Sequence, residues 1–230
     1  MSHATQKFAA VAALTLACAA HAVPVSLTKL TGVTGGALAA TAVYKADLSS
    51  VGLASILSIG IRDNSSGLGG AGGKFSGFDL DAIKLSMTDC ADAACAKAAA
   101  GLSLFDFTSG VLFTPGAQRL PVDAKLFGTD ASGSAPDNGV ATLGLLDGEA
   151  TTGPTAFGFL SLGDNGAIDF DLTAAASTAG LFLYIGEVGD NGEVAASDII
   201  VRDGHTLPEP AGLALFGLAA AGLATLRRRR

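Results

Sequence analysis

Tryptophan is absent, tyrosine occurs only as Tyr44 and Tyr184, and histidine and cysteine occur three times each. The histidines are His3, His21 and His205, all close to the two ends. The middle of the chain therefore holds no imidazole. That excludes a Ser-His-Asp or Cys-His catalytic arrangement and a histidine-based metal centre from it. The missing Trp and scarce Tyr remove the flat polar-edged rings on which sugar platforms are usually built, and the 12 Phe fall mostly in apolar runs and read as core. Charge is scarce too, at 15% of residues, and acids outnumber bases to give a net −7. Such a surface does not neutralise phosphates, so no nucleic-acid partner is expected. With 49% apolar residues the chain is not a disordered one. Long uncharged apolar runs occur only at the ends, which excludes a polytopic membrane protein.

Residues 1–22, MSHATQKFAAVAALTLACAAHA, have the three parts of an export signal. Lys7 supplies a weak positive start, residues 8–20 an uncharged apolar stretch too short for a usual span, and Ala20-His21-Ala22 a small-residue cleavage site. Signal peptidase would cut after Ala22 and leave Val23 first. Lipoprotein processing at Cys18 fits less well, because Thr15-Leu16-Ala17 is a poor lipobox.

The other end, from Leu207, reads LPEPAGLALFGLAAAGLATLRRRR. Pro208, Glu209 and Pro210 form a stiff extended tripeptide, since each proline fixes its own backbone and restricts the residue before it. Residues 211–226 carry no charge, and as a helix would extend ~24 Å at ~1.5 Å per residue. Arg227, Arg228, Arg229 and Arg230 then favour the cytoplasmic side and stop the segment there. Gly212, Gly217 and Gly222 recur every five residues and make no single GxxxG face.

Those three parts in order at the extreme C-terminus, behind an N-terminal signal, resemble the PEP-CTERM sorting signal of Gram-negative exopolysaccharide-producing bacteria. The resemblance covers about the last 24 residues. It implies recognition by an exosortase, a membrane-embedded cysteine transpeptidase-like enzyme that removes the tail. The chain would be its substrate and carry no catalytic residue for that step. Localisation would be exported, with transient anchoring in the inner membrane and then delivery to the outer surface or the extracellular space. A permanent type I anchor predicts the same orientation without cleavage.

Residues 23–204 are expected to be one all-β domain, with 205–230 as stem, Pro-Glu-Pro, transmembrane helix and Arg tail. Between 23 and 207 there are 9 Lys and Arg against 20 Asp and Glu, a formal charge of −11. Short apolar runs with strand character fall at 25–30, 41–48, 54–62, 78–87, 101–107, 110–114, 156–162, 167–172, 180–187 and 197–201. Gly-, Asp- and Asn-rich turns separate them. About ten short strands with frequent turns point to an antiparallel β-sandwich of jelly-roll type, with a barrel as the alternative. The Ala-rich stretch 92–100 is the one helical segment, and 129–153 reads as a long surface loop with a short strand inside.

Once Cys18 leaves with the signal, Cys90 and Cys95 can pair only with each other, and an oxidising envelope favours that disulfide. Carboxylates are the remaining candidates for chemistry. Asp79/Asp81 and Asp169/Asp171 are D-x-D pairs on strands, and Asp164 and Asp190 sit in two identical GDNG loops. Such groups would hold Ca²⁺ through oxygen ligands or act as an acid–base pair. The plainer reading is a solvated face with Asn-Gly turn chemistry. Residues 67–73, GLGGAGG, lack the Lys-Ser/Thr of a phosphate loop. The sequence therefore leads to an exported structural or adhesive protein of a biofilm or exopolysaccharide layer. A secreted carbohydrate- or calcium-binding module is the alternative.

Overall fold

The computed structural model describes residues 20–206 except 37, 65, 66, 68, 152, 192 and 194–197. The expected signal core, the Pro-Glu-Pro motif, the apolar span and the Arg tail lie outside the described residues. Among the described residues no helix is long and apolar enough to cross a membrane.

The strands are β1 (Ala22–Val25), β2 (Thr28–Lys29), β3 (Thr34–Gly35), β4 (Ala40–Asp47), β5 (Ser55–Arg62), β6 (Asp79–Ser86), β7 (Val111–Thr114), β8 (Glu149–Ala150), β9 (Gly153–Phe157), β10 (Leu160–Ser161), β11 (Ala167–Ser177), β12 (Phe182–Val188) and β13 (Asp198–Arg202). One sheet runs β1-β13-β5-β11-β7 and the other β10-β6-β12-β4-β2, with β3 also on β4. Every pairing between named strands is antiparallel. Pro24 is tolerated because β1 is an edge strand whose one neighbour is β13.

The two sheets share one core. Ile59, Ile61, Ile168, Phe170, Ile199 and Val201 of the first meet Ala42, Tyr44, Leu80, Ile83, Leu183 and Ile185 of the second. Period-two alternation accounts for most of this, since Ile168, Phe170 and Leu172 face inward and Asp169 and Asp171 outward. Fully burying each such aliphatic or aromatic side chain stabilises the fold by roughly 1.5–3 kcal/mol.

β6 breaks the alternation. Phe78 and Leu80 join the central core, and so do Ile83 and Leu85, an odd step apart. The register against β12 slips there: Ala82 lies opposite Gly186, but Leu80 lies opposite Glu187. The extra residue, Asp81, forms a β-bulge, and Ala82 passes to a second cluster on the other face with Val43, Leu146 and Tyr184.

That outer face carries α1 (Ala93–Ala98). Asp92 caps its start by accepting the Cys95 amide at 2.8 Å. At its end the Lys84 ammonium donates to the carbonyls of Ala96, Lys97 and Ala99. Burial lowers the pKa of Lys84.

Two expectations about elements change. Residues 101–107 form no named strand, and Phe105 makes only an isolated bridge to Leu172. Residues 129–153 are not a loop confined to the surface, since Ala141, Leu143 and Leu146 are each only 1% exposed and the Ile83 amide donates to the Leu143 carbonyl. Their turns carry polar side chains outward while three apolar ones seal the sandwich.

Candidate functional site

The first and last strands pair at one edge of the five-stranded sheet. β1 pairs β13 with Ala22 opposite Arg202 and Val25 opposite Ile199. Ala20 and Ala22 are exposed, and β1 begins one residue before the expected signal-peptidase cut. Val23, Pro24 and Val25 keep their partners on β13 if that cut is made. Just outside the strand, the His21 amide donates to Asp203 Oδ1 at 2.7 Å and the His21 ring Nδ1 stands 3.0 Å from Asp203 Oδ2. The ring contact, followed by the amide, lowers the pKa of Asp203.

Past β13 the chain crosses the outer face of its own sheet. Arg202, Ser58 and Asp171 lie in one row across β13, β5 and β11. The buried Ser58 hydroxyl donates to the Gly204 carbonyl at 2.7 Å. The Thr206 amide donates to Asp171 Oδ1 at 2.8 Å, and His205 Nδ1 is 3.8 Å from Asp171 Oδ2. Thr206 and Asp171 also line a shallow hollow with Ser109, Gly110, Val111 and Leu112.

The six aspartates singled out by sequence do not converge. Asp169 accepts from Arg62 Nη2 at 2.6 Å and Arg202 Nη1 at 3.0 Å. Asp171 holds the stem. Asp79 accepts the Ser161 hydroxyl at 2.5 Å. Asp81 accepts the Gly148 amide at 2.9 Å. Asp164 lies 3.3 Å from Arg119 Nε, and Asp190 pairs with Lys29. Among the described residues no group of three or more His, Cys, Asp or Glu is placed to hold a metal ion.

The plainer expectation, a solvated D-x-D face, is also corrected. Asp79, Asp81 and Asp169 are only 6%, 0% and 5% exposed. The outer face of β6 is covered by a second layer, and two guanidinium groups lie over Asp169. The GDNG turns behave as turn chemistry, though not identically. The first puts Asn165 at φ 62° and the second puts Asp190 at φ 50°.

Sequence reasoning passed over two further acids. Glu187 lies on β12 directly opposite Leu80, between Asp79 and Asp81 in sequence register, and Glu193 follows just beyond the strand. They are 0% and 1% exposed. Burial pushes both up to about 7, and pushes Asp81 up to about 7 as well. Asp79 is raised well above the usual carboxylate range, first by burial and then by Glu193 and Glu187. Burial thus makes each of the four easier to protonate than an exposed carboxyl. The signal was legible in principle, since Glu187 is the one charge in the apolar run 181–188.

Cys90 and Cys95 are disulfide-bonded, with Cα atoms 5.5 Å apart. The bridge ties the start of α1 to the chain before it. Beneath it the Tyr184 hydroxyl accepts the Cys90 amide at 2.9 Å and donates to the Thr88 carbonyl at 2.5 Å. An open hollow of about 380 Å³ lies beside this region, lined by Phe105, Phe107, Ser103, Gly101, Gly144 and Lys84 among others. The Phe105 and Phe107 rings are parallel there, with centroids 5.5 Å apart. No family model, curated protein or solved structure matches the chain.

Proposed function

We propose that this protein is exported, is not an enzyme, and is sorted to the cell surface or extracellular matrix through a C-terminal PEP-CTERM signal. The observation that carries this reading is the tail itself: Pro208-Glu209-Pro210, 16 uncharged residues at 211–226, and four arginines. Signal peptidase removes residues 1–22, the apolar tail holds the domain at the inner membrane, and an exosortase-type enzyme releases it. The domain then serves a structural or adhesive role in biofilm or exopolysaccharide.

Three features support the reading. The first and last strands of the domain are paired, so the fold keeps its edge closed with Val23 as the first residue. The disulfide suits an oxidising compartment. The carboxylates that sequence offered for catalysis are spent on partners within the fold. Jelly-roll topology is our finer reading of the sandwich, supported by β1-β13-β5-β11 facing β10-β6-β12-β4, with successive long strands alternating between sheets. Pulse-labelling in the native host tests the sorting. A shorter form should appear in the normal strain and be missing in one lacking its exosortase gene. The same product in both strains would end the proposal.

A second reading, a carbohydrate-binding module, is favoured by the hollow at Phe105 and Phe107, whose rings offer apolar faces beside backbone polar groups. Calorimetric titration with host exopolysaccharide checks it. Binding that Phe107→Ala weakens supports it, and no heat at millimolar sugar units removes it.

A further inference from the structure

We propose that residues 203–206 form a latch on the outer face of the five-stranded sheet, and that Asp171 is the positioning residue that sets how far the sorting signal reaches from the domain. The inference rests on the sorting reading. It adds a restraint, built into the folded domain, on when the signal is available to its processing enzyme.

The geometry of the stem carries the argument. A tether that merely linked a domain to a membrane segment would leave β13 and run free. This one leaves β13 sideways and passes over β5 to β11 along a single row. Arg202 on β13 lies opposite Ser58 on β5, and Ser58 lies opposite Asp171 on β11. The stem follows that row: Ser58 donates to the Gly204 carbonyl and Asp171 accepts the Thr206 amide, at 2.7 and 2.8 Å. Ser58 is fully buried, so its hydroxyl depends on Gly204 as a partner. Asp171 is two-thirds buried at its side chain, and its second oxygen faces His205 at 3.8 Å. Neither contact needs Ala20 or His21, so the latch survives removal of the signal.

The consequence is a change in reach. With Thr206 docked, only Leu207 separates the fixed chain from Pro208, which allows about 3.5 Å of extended chain. Released from Asp171, the free tether begins after Gly204, which Ser58 still holds, and spans residues 205–207, about 10 Å when extended. A membrane-embedded enzyme must admit Pro208-Glu209-Pro210 past the folded sandwich. The docked tether leaves the enzyme less room beside the folded sandwich than the released one does. Docking therefore slows processing.

Two measurements test this. Amide hydrogen exchange on the full-length precursor, purified in detergent from a host lacking the exosortase, reads the latch itself. The Thr206 amide should exchange roughly tenfold or more slowly than an unstructured amide. Asp171→Ala should abolish that protection, and Asp171→Asn, which keeps the acceptor, should retain it. Exchange of Thr206 at the unstructured rate would overturn the latch. Tail removal in the native host reads its effect. Asp171→Ala and Thr206→Pro, which deletes the donor and leaves every strand residue unchanged, should each process at least threefold faster than wild type, and Asp171→Asn at the wild-type rate. Equal or slower processing in both variants would overturn the control claim. Pro208→Ala/Glu209→Ala separates the readings: normal tail removal in that variant would refute the sorting signal, whereas its loss with an unaltered Asp171→Ala rate would refute only the latch.

Discussion

Replacing Asp169 with asparagine should be among the most damaging changes of nearly constant volume in the domain. Asp169 lies on β11, and its two oxygens take Arg62 from β5 and Arg202 from β13. The side chains are 7%, 31% and 16% exposed respectively. One carboxylate thus joins three neighbouring strands. The site exists because residue 60, opposite Asp169, is glycine. A Cβ there would stand 2.5 Å from Asp169 Oδ1 and 3.0 Å from an Arg202 guanidinium nitrogen. Asparagine keeps the volume and one acceptor but leaves two cations facing a neutral amide. Breaking a buried charge pair costs about 3–5 kcal/mol. The arginines retain some water, so the lower end applies, about 3 kcal/mol. For a domain of this size that lowers the Tm by roughly 6–12 °C. Scanning calorimetry of the purified protein measures it. Asp89→Asn is the control, since Asp89 is 64% exposed in its pair with Lys45 and should change stability by less than about 0.5 kcal/mol. Equal small losses in both variants would refute the argument that burial makes the Asp169 pair matter.

The buried acids give the domain an inverted acid response. Asp81, Glu187 and Glu193 have folded pKa values of about 7, above the unfolded values of roughly 4. Their contribution to stability is therefore fully present below about pH 4 and lost as pH rises through 7. Asp47, Asp106 and Asp130, held low chiefly by hydrogen bonds from Ser49, Ser109 and Ser132, lose theirs as pH falls through their folded values. The Tm should climb from pH 8 to pH 5 and fall on further acidification, and a Tm that drops steadily from pH 8 downward would contradict the burial of these carboxyls. Removing the cystine by Cys90→Ala with Cys95→Ala should destabilise by about 2 kcal/mol, because the closed loop is short. An unchanged calorimetric Tm would show that α1 is held by packing and its caps alone.

Much of the architecture was legible because its signals are local. Alternation in 167–172 placed Ile168, Phe170 and Leu172 inward, the alanine run marked α1, and the cysteine count left one pairing. The face of β6 was not legible, because the bulge at Asp81 depends on how β12 pairs with it, and strict alternation there would send Ala82 to the central core. Burial of Asp79 and Asp81 was hidden for a related reason. The layer over them comes from residues distant in sequence, Ser161 and Gly148. The stem shows the same limit. Sequence assigns residue 205 onward to the stem and tail, and only the Arg202–Ser58–Asp171 row reveals that Gly204 and Thr206 are docked.

The central claim is that the tail is a processing signal, and the C-terminus of the surface protein tests it most directly. Mass spectrometry of that protein from its native host should find a chain that begins at Val23 and lacks Arg227, Arg228, Arg229 and Arg230. An intact arginine tail on surface-localised protein would contradict the account.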